Sequence, residues 1–588
     1  MVEVNTIAAA SIRQRIVLSY VSVALSGAYS NGFAASVLAL AHAGAHWGSW
    51  VRRRAHSRRQ ACAPLPALIL GTAIIGLVLA GCAVGPDYSR EPAPVPTEYK
   101  ELKGWKHATP SDDVDRGDWW TVYRDRGLDT LLPQVEISNQ TVAASAAAYE
   151  EARAVIREAQ ATLFPTATAA YGVTRTRTGA LAGTTGGSAV GTSLGTRYTT
   201  QYAAPINGTW DIDVWGRIRR QIESNTAAAQ ASAADLDNAK LSAQAQLATA
   251  YFNLRAADSL RALLDRAVVQ FKETLRVTRN KVNAGCCSGT GLAAVSPADL
   301  ALASAQVENA EAQAINVGVE RAQFEHAIAM LIGRPPGELA VASRGLSGGI
   351  PKIPVMVPST LLERRPDIAA SERTMQEQNA LIGVAEAAYF PDISLSSMIE
   401  YLGPIPLPFS AARSIASIGA NGTQTLFNGG LTSAQVDAAR AVYWQSVATY
   451  RQTVLTAFQQ VEDELAAIRI LSRQLGIEQA AVRDAREAVR VYSNQYQAGT
   501  VDLTTLVTGE TTLLADEEAE LTVRQDLFLA SVSLIEALGG RWDTVLLPTQ
   551  GQLQKGFSFT PQLESTPPLA VELFPKIQTP SDPAGGPQ

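Results

Sequence analysis

The chain is poor in charge and in the residues that carry chemistry. Asp, Glu, Lys and Arg make up 18% of its 588 residues, against roughly 25% in ordinary globular domains. The formal net charge is -6 and no long basic patch runs through the region after residue 82, which argues against nucleic acid as a partner. The four cysteines, Cys62, Cys82, Cys286 and Cys287, do not form a disulfide framework. The adjacent Cys286 and Cys287 read as two inert thiols in a loop, because a vicinal bond is strained. Five histidines are scattered, none beside a cysteine or in a paired ligand spacing, so no metal site is expected. His326 reads as a packed or solvated residue. A glycine-rich phosphate loop and a nucleophile motif are both missing, so neither catalysis nor a cofactor is expected.

What is present begins with LVLAGCAVGPDY (77 to 88), preceded by the basic cluster RRRAHSRRQ (52 to 60) and the apolar run LPALILGTAIIGLVLA (65 to 80). That run is shorter than the roughly 20 residues of a comfortable membrane helix, and the order of basic cluster, short apolar run and small residues is that of a secretory signal. Leu79-Ala80-Gly81-Cys82 resembles the bacterial lipobox. Cys82 is therefore expected to begin the mature chain and to carry diacylglycerol and N-acyl lipid, more than one acyl chain being what gives stable anchoring. Ala83 follows it, without the Asp that retains lipoproteins in the inner membrane, so the outer membrane is the expected location. Residues 1 to 50 fit a signal badly, and translation is expected to start near Val51.

The chain repeats itself. AQATLFPT (159 to 166) returns as AEAAYFPD (385 to 392), and RVTRNKVNAG (276 to 285) returns as RVYSNQYQAG (490 to 499). Two tandem units follow. The expected division is a signal region 1–81, a lipidated and equatorial segment 82–137, a first repeat 138–340, a linker 341–365, a second repeat 366–541 and a tail 542–588, partly disordered. The Gly-rich stretch 179–195 and the insertion near Cys286 account for the length differences between copies.

Each unit opens with an Ala-, Glu- and Gln-rich helix (138–161 and 366–389), which an F-P pair ends. Strand alternation follows. In 166–178, Ala167, Ala169, Tyr171 and Val173 share one face; in 198–212, Tyr198, Tyr202, Ala204, Ile206, Trp210 and Ile212 do so; in 393–401, Ile393, Leu395, Ile399 and Tyr401 do so. A period of two with weak hydrophobicity marks an outer-membrane barrel strand. The stretch 414–427 alternates poorly and is expected as the fourth strand by symmetry alone. Residues 216–282 and 430–498 contain no proline, and as helices each would run about 100 Å. Shorter helices over 296–333 and 503–538 pair with them. Four strands cannot close a barrel whose smallest form has about eight, so several chains must share one.

VPSTLLERRPDIAASERTMQEQNALIGVAEAAYFPDISL (357 to 395), WDIDVWGRIRR (210 to 220), LIGRPPGEL (331 to 339), TLFNGGLTSAQVDAAR (425 to 440) and CAVGPDY (82 to 88) resemble TolC-like outer-membrane efflux factors, in their NodT-like lipoprotein branch. The resemblance covers about residues 82 to 545. It implies an α+β membrane channel: a homotrimer sharing a twelve-stranded β-barrel continued by a long periplasmic helical barrel. It implies the exit duct of a tripartite pump, with a periplasmic membrane-fusion adaptor and an inner-membrane RND transporter as partners and small molecules as cargo. A duct for type I protein secretion and a non-channel structural lipoprotein are the alternatives.

Within that frame Arg364, Arg365, Pro366 and Asp367 open a helix near the equatorial belt and are structural: proline suits the first turn and Asp its positive end. The adaptor is expected to engage the two helical tips, through Asn280, Ala284 and Gly285 on one and Asn494, Ala498 and Gly499 on the other. For the periplasmic gate, relatives often carry an Asp and, three residues later, an Arg; Thr508 and Thr511 stand there. Thr504, Thr508 and Thr511 form one polar stripe beside an apolar face of Leu503, Leu506 and Val507. The ring there would be hydroxyl-lined, closed mainly by close helix packing, and without a carboxylate ring it should not bind divalent cations. Asp502 and Glu510 are the acids that would line it otherwise.

Overall fold

The computed structural model describes residues 83–96, 98–101, 118–178, 197–283, 296–351, 353, 358–405, 414–540 and 542–554. The signal region, Cys82, Ala284, Gly285, Cys286, Cys287, the Gly-rich stretch 179–195 and the tail after 554 lie outside the described residues.

The helices are α1 (Arg126–Ser138), α2 (Gln140–Ala161), α3 (Arg217–Asn283), α4 (Pro297–Leu331), α5 (Pro358–Arg364), α6 (Pro366–Ala387), α7 (Leu431–Ala498), α8 (Leu503–Ala537) and the single turn α9 (Gln550–Leu553). The strands are β1 (Thr166–Ala169), β2 (Gly172–Thr178), β3 (Arg197–Asp211), β4 (Asp392–Gly403) and β5 (Ser414–Thr423). The two long helices have 67 and 68 residues, about 100 Å each. α3 packs on α4 and α7 on α8; the buried face of α3 is rich in Ala, and that of α7 is mostly Val, Leu, Ile and aromatic. No helix among the described residues is long and apolar enough to cross a membrane.

All strands join one antiparallel sheet, with β1 and β2 on the same edge of β3, then β4, then β5. The expected first strand, 166–178, is interrupted at Ala170 and Tyr171, yet its register with β3 is unbroken, Ala169 facing Ile206 and Gly172 facing Ala203. The cause lies on the partner. Ala170 faces Pro205, whose carbonyl accepts the Ala170 amide at 3.0 Å but which has no N–H to return. The fourth strand is shorter than expected: it stops at Thr423, and Gly429 and Gly430 turn the chain into α7 at φ 65° and 88°.

The opening helix of the first half runs where expected, as α2, but a further helix, α1, precedes it inside the expected equatorial segment, and Asn139 separates the two. Its backbone is extended, and its side-chain oxygen accepts the Thr141 and Val142 amides at 2.9 and 3.1 Å. α4 starts from a reciprocal box in which Asp299 N–H donates to Ser296 Oγ and Ser296 N–H to the Asp299 carboxylate, with Pro297 in the first turn. The α3 start is capped by Asp213, which accepts the Ile218 and Arg219 amides.

The main core lies where α1 and the stacked ends of the shorter helices meet the middle of α3 and α7. Leu128, Leu132, Tyr251, Ile328, Ile368 and Tyr450 are fully buried there. Residues 83–96 and 98–101 run along α6 and α7. Val84 N–H donates to Trp215 O at 3.0 Å, and Arg220 donates to the Val84 and Gly85 carbonyls and to Asp87. Farther on, the Lys100 and Glu101 amides donate to Glu462. Gly85 lies so near α6 that a Cβ on it would stand 2.4 Å from Gly383 Cα.

Candidate gate and docking tips

The second tip is built by a glycine and an aspartate. α7 stops at Ala498 because Gly499 takes a left-handed conformation, φ 80°. The Gly499 and Thr500 amides then return to the Tyr496 and Gln495 carbonyls at 3.0 and 2.9 Å, the usual closure of a helix end by glycine. Asp502 caps α8: its carboxylate accepts the Thr505 amide at 2.9 Å and the Thr505 hydroxyl. Those bonds hold its carboxyl below the usual range. Of the other expected tip residues, Asn280 is exposed on the last turn of α3, and Asn494 and Ala498 are exposed near the end of α7.

The residues that join the two tips escaped the sequence reading. Tyr496 is buried against the end of α3, its hydroxyl 2.8 Å from Thr278 Oγ1. Lys281 donates to the Tyr496 carbonyl, and its ammonium lies 3.9 Å from the centroid of the same ring. A buried tyrosine with a hydroxyl partner 218 residues away leaves no local signal.

In α8 the two expected faces separate. Leu503, Leu506 and Val507 are buried with Ala303 and Tyr496, while Thr504 and Thr508 are exposed and Thr511 is half-buried. Their hydroxyls bond back to the helix, Thr508 Oγ1 to Thr504 O at 2.7 Å and Thr511 Oγ1 to Val507 O at 2.9 Å. Glu510 is not on that stripe. It is 4% exposed, its Oε1 accepting from Thr274 Oγ1 at 2.8 Å and from Gln270 Nε2 at 3.3 Å, while Oε2 is buried without a partner. Burial pushes its carboxyl above the usual range. A groove of about 680 Å³ lies over it, lined also by Arg266, Phe271, Arg486 and Leu513. Between α7 and α8, Gly509 permits close approach, since a Cβ there would lie 2.8 Å from the Tyr492 ring.

Arg365, Pro366 and Asp367 act at a helix splice. Arg365 Nη1 donates to Ala537 O at 2.9 Å, where α8 ends, and its Nε and Nη2 grip Asp367 at 3.0 and 2.6 Å. Among the described residues no three His, Cys, Asp or Glu are placed to hold a metal ion.

Residues 131–334 and 357–540 match the family of outer membrane efflux proteins. The chain belongs to that family. It is 28% identical over 479 residues to the probable efflux pump outer membrane protein TtgC of Pseudomonas putida, covering 81% of this chain and 96% of that one. It is 26% identical over 471 residues to the cation efflux system protein CusC of Escherichia coli, covering 79% and 98%. Among solved structures, the outer-membrane channel OprN is similar at 27% identity and a TM-score of 0.69, over 78% of this chain and 99% of that one. The CmeC outer membrane channel of Campylobacter jejuni shares the fold, with a TM-score of 0.71 at 21% identity over 81% and 99%. The helices and sheet described above are thus those of an outer membrane efflux protein.

Proposed function

We propose that this outer membrane efflux protein is the exit duct of a tripartite RND-type pump and passes small molecules without chemistry of its own. It would assemble as a trimer sharing one twelve-stranded barrel. One observation carries the reading. Strand register brings Ala167, Ala169, Tyr171 and Val173 of the first edge, Tyr202, Ala204 and Ile206 of β3, Leu395, Ile399 and Tyr401 of β4, and Ala416 and Ile418 of β5 onto a single face. Tyr171, Val173, Ile206, Ile399 and Ile418 on that face are exposed among the described residues, and Tyr401 is buried. Water penalises such a surface, and lipid accepts it.

The sheet has two free edges among the described residues, β1 with β2 on one side and β5 on the other. Open edges are not tolerated in hydrocarbon, so copies must close the ring, and three is the number that the family resemblance implies. The order of helix, strands, long helix and shorter helix in both halves supports two tandem repeats. Lipidation of Cys82 fits the position of the residues that follow it, because Val84 is bonded to Trp215 at the sheet–helix junction, where Trp215 stacks on Phe390, aromatics of the kind that mark a membrane interface. The exposed tip residues Asn280, Asn494 and Ala498 are the proposed adaptor contacts, together with Ala284, Gly285 and Gly499. The hydroxyl stripe of Thr504, Thr508 and Thr511 is the proposed gate.

The test is conductance of the purified, lipidated protein in planar bilayers, with native mass spectrometry of the same sample. Trimers that conduct, without block by divalent salts, are expected, and Thr508→Asp should introduce that block. A trimer that never conducts would favour a structural lipoprotein. Copurification with an ABC transporter in place of an RND transporter would favour protein secretion.

A further inference from the structure

The apolar face of the sheet changes character at the end remote from the helices. Tyr171, Ala204 and Tyr401 form one cross-strand row, and Val173, Tyr202 and Gly403 the next. β4 ends there. β2 and β3 continue for two more rows on the same face, Arg175 facing Thr200 and Arg177 facing Tyr198, about 7 Å apart along the strand. The sequence of rows is apolar, aromatic, then basic. Aromatic girdles mark the level where hydrocarbon gives way to headgroups, so both guanidinium groups come just beyond it, at headgroup height.

Neither arginine is neutralised. Both are exposed, and no carboxylate pairs with either among the described residues. The acid nearest in the sheet, Glu400, faces Pro205 on the opposite side. Arg175 stacks on the Tyr198 ring with its guanidinium carbon 5.1 Å from the centroid, which orients the planar group while leaving its charge unpaired. An ordered arginine with a second one beside it, on a surface that faces lipid, is complementary to a phosphate at the membrane surface.

We propose that Arg175 and Arg177, with Tyr198, bind the phosphate of a phosphorylated glycolipid headgroup in the outer leaflet. This rests on the barrel reading above, which puts the helix-free end of the sheet on the outside. The surface has a counterpart of different composition at the other end, where the rows close with Trp210 and Leu395 and no arginine pair follows on that face. The asymmetry makes the two ends suited to different leaflets, and bound glycolipid on the outside would fix the height of the barrel.

The test uses full-length protein purified in detergent, titrated with phosphorylated glycolipid extracted from a bacterial outer membrane, the same glycolipid dephosphorylated, and phosphatidylglycerol. Bound lipid is counted by native mass spectrometry, which also reports whether the protein is trimeric. Wild type should bind the phosphorylated glycolipid at least about tenfold more tightly than an Arg175→Ser/Arg177→Ser variant, a loss of two charge-assisted contacts. Dephosphorylated glycolipid should not distinguish the two proteins. Equal binding of the phosphorylated form by both proteins would overturn the proposal, as would phosphatidylglycerol binding as tightly as the glycolipid. A protein that never forms a closed oligomer would instead overturn the barrel reading. Tyr198→Leu removes the stacking partner without touching charge and should weaken binding by a smaller factor; if it has the larger effect, the ring and not the arginines carries the contact.

Discussion

The two halves of the chain solve one problem in two ways. In each, a shorter helix ends against the start of another, and the abutting ends must satisfy each other's backbone. In the first half α4 ends at the α1–α2 junction, where Asn139 Nδ2 donates to Leu331 O at 2.7 Å and Ser138 Oγ to Ile332 O at 2.6 Å. In the second half α8 ends at the α5–α6 junction, where Arg365 reaches Ala537 O. A glycine makes both contacts sterically allowed: Gly333 at φ 67° against Ser138 O, and Gly539 at φ 85° against Arg364 O. The neutral amide of Asn139 caps one helix with its oxygen and donates to the end of the other with its nitrogen, all from a single side chain. The larger guanidinium of Arg365 needs Asp367 beside it and leaves a hollow of about 380 Å³, lined also by Glu464 and Glu536. Burial raises both of those carboxyls above the usual range. A charged splice thus brings further charge out of water, and a neutral one does not.

The largest effect that tests this equivalence is steric. A Cβ on Gly539 would lie 1.8 Å from Arg364 O and one on Gly333 2.0 Å from Ser138 O. Gly539→Ala and Gly333→Ala should each destabilise the protein by roughly 2–4 kcal/mol, from the left-handed backbone and overpacking together. Thermal unfolding followed by circular dichroism should show comparable drops. A normal midpoint for either variant would mean the two splices are not equivalent.

Next in size is the contrast between the polar groups. Arg365→Ala strands Asp367 and the end of α8, and because Asp367 is partly exposed the cost should be about 2 kcal/mol, below that of a fully buried pair. Asn139→Ala removes an N-cap and should cost about 1 kcal/mol. Denaturant titration of both variants decides the order, and a reversal would mean that the hollow already hydrates Arg365.

The smallest expected effect is on pH. Glu536 is raised in the folded protein chiefly by burial. The folded state therefore binds the proton more tightly than the unfolded one. Its contribution is present below the ordinary glutamate value of about 4.3 and is lost as pH rises through the raised value. Glu536→Gln should flatten the fall in unfolding midpoint over that window, while Asn139→Ala should leave its slope unchanged. An unchanged slope in Glu536→Gln would assign the dependence to the other buried acids raised in the fold, Glu464 and Glu510 among them.

Much of this molecule is legible in its sequence, element by element. The long helices begin and end within a residue or two of the expected limits, because a proline-free Ala-rich run and a closing glycine are local signals. The apolar faces of the strands are legible for the same reason, alternation being a property of neighbours. The break opposite Pro205 was not, since it appears only once Pro205 has Ala170 for a partner. Asn139 sits at the start of the expected helix, and nothing in its neighbourhood announces that α4 will end against it. In the candidate gate region the stripe of Thr504, Thr508 and Thr511 could be read from helical spacing, but Asp502 turns out to be a helix cap, and Tyr496 and Glu510 take their roles from α3.

By itself the sequence determined the periods: two along the strands, helical elsewhere, the order repeated in both halves. These depend on backbone geometry within a few residues, which the local run of side chains controls. The tertiary structure alone decided which polar groups lose water and what they meet there: Glu510 against Thr274 and Gln270, Tyr496 against Thr278, Arg365 against the end of α8. It also decided that Arg175 and Arg177 continue the apolar face at its far end. Desolvation and pairing are set by atoms from distant parts of the chain, so no local pattern specifies them.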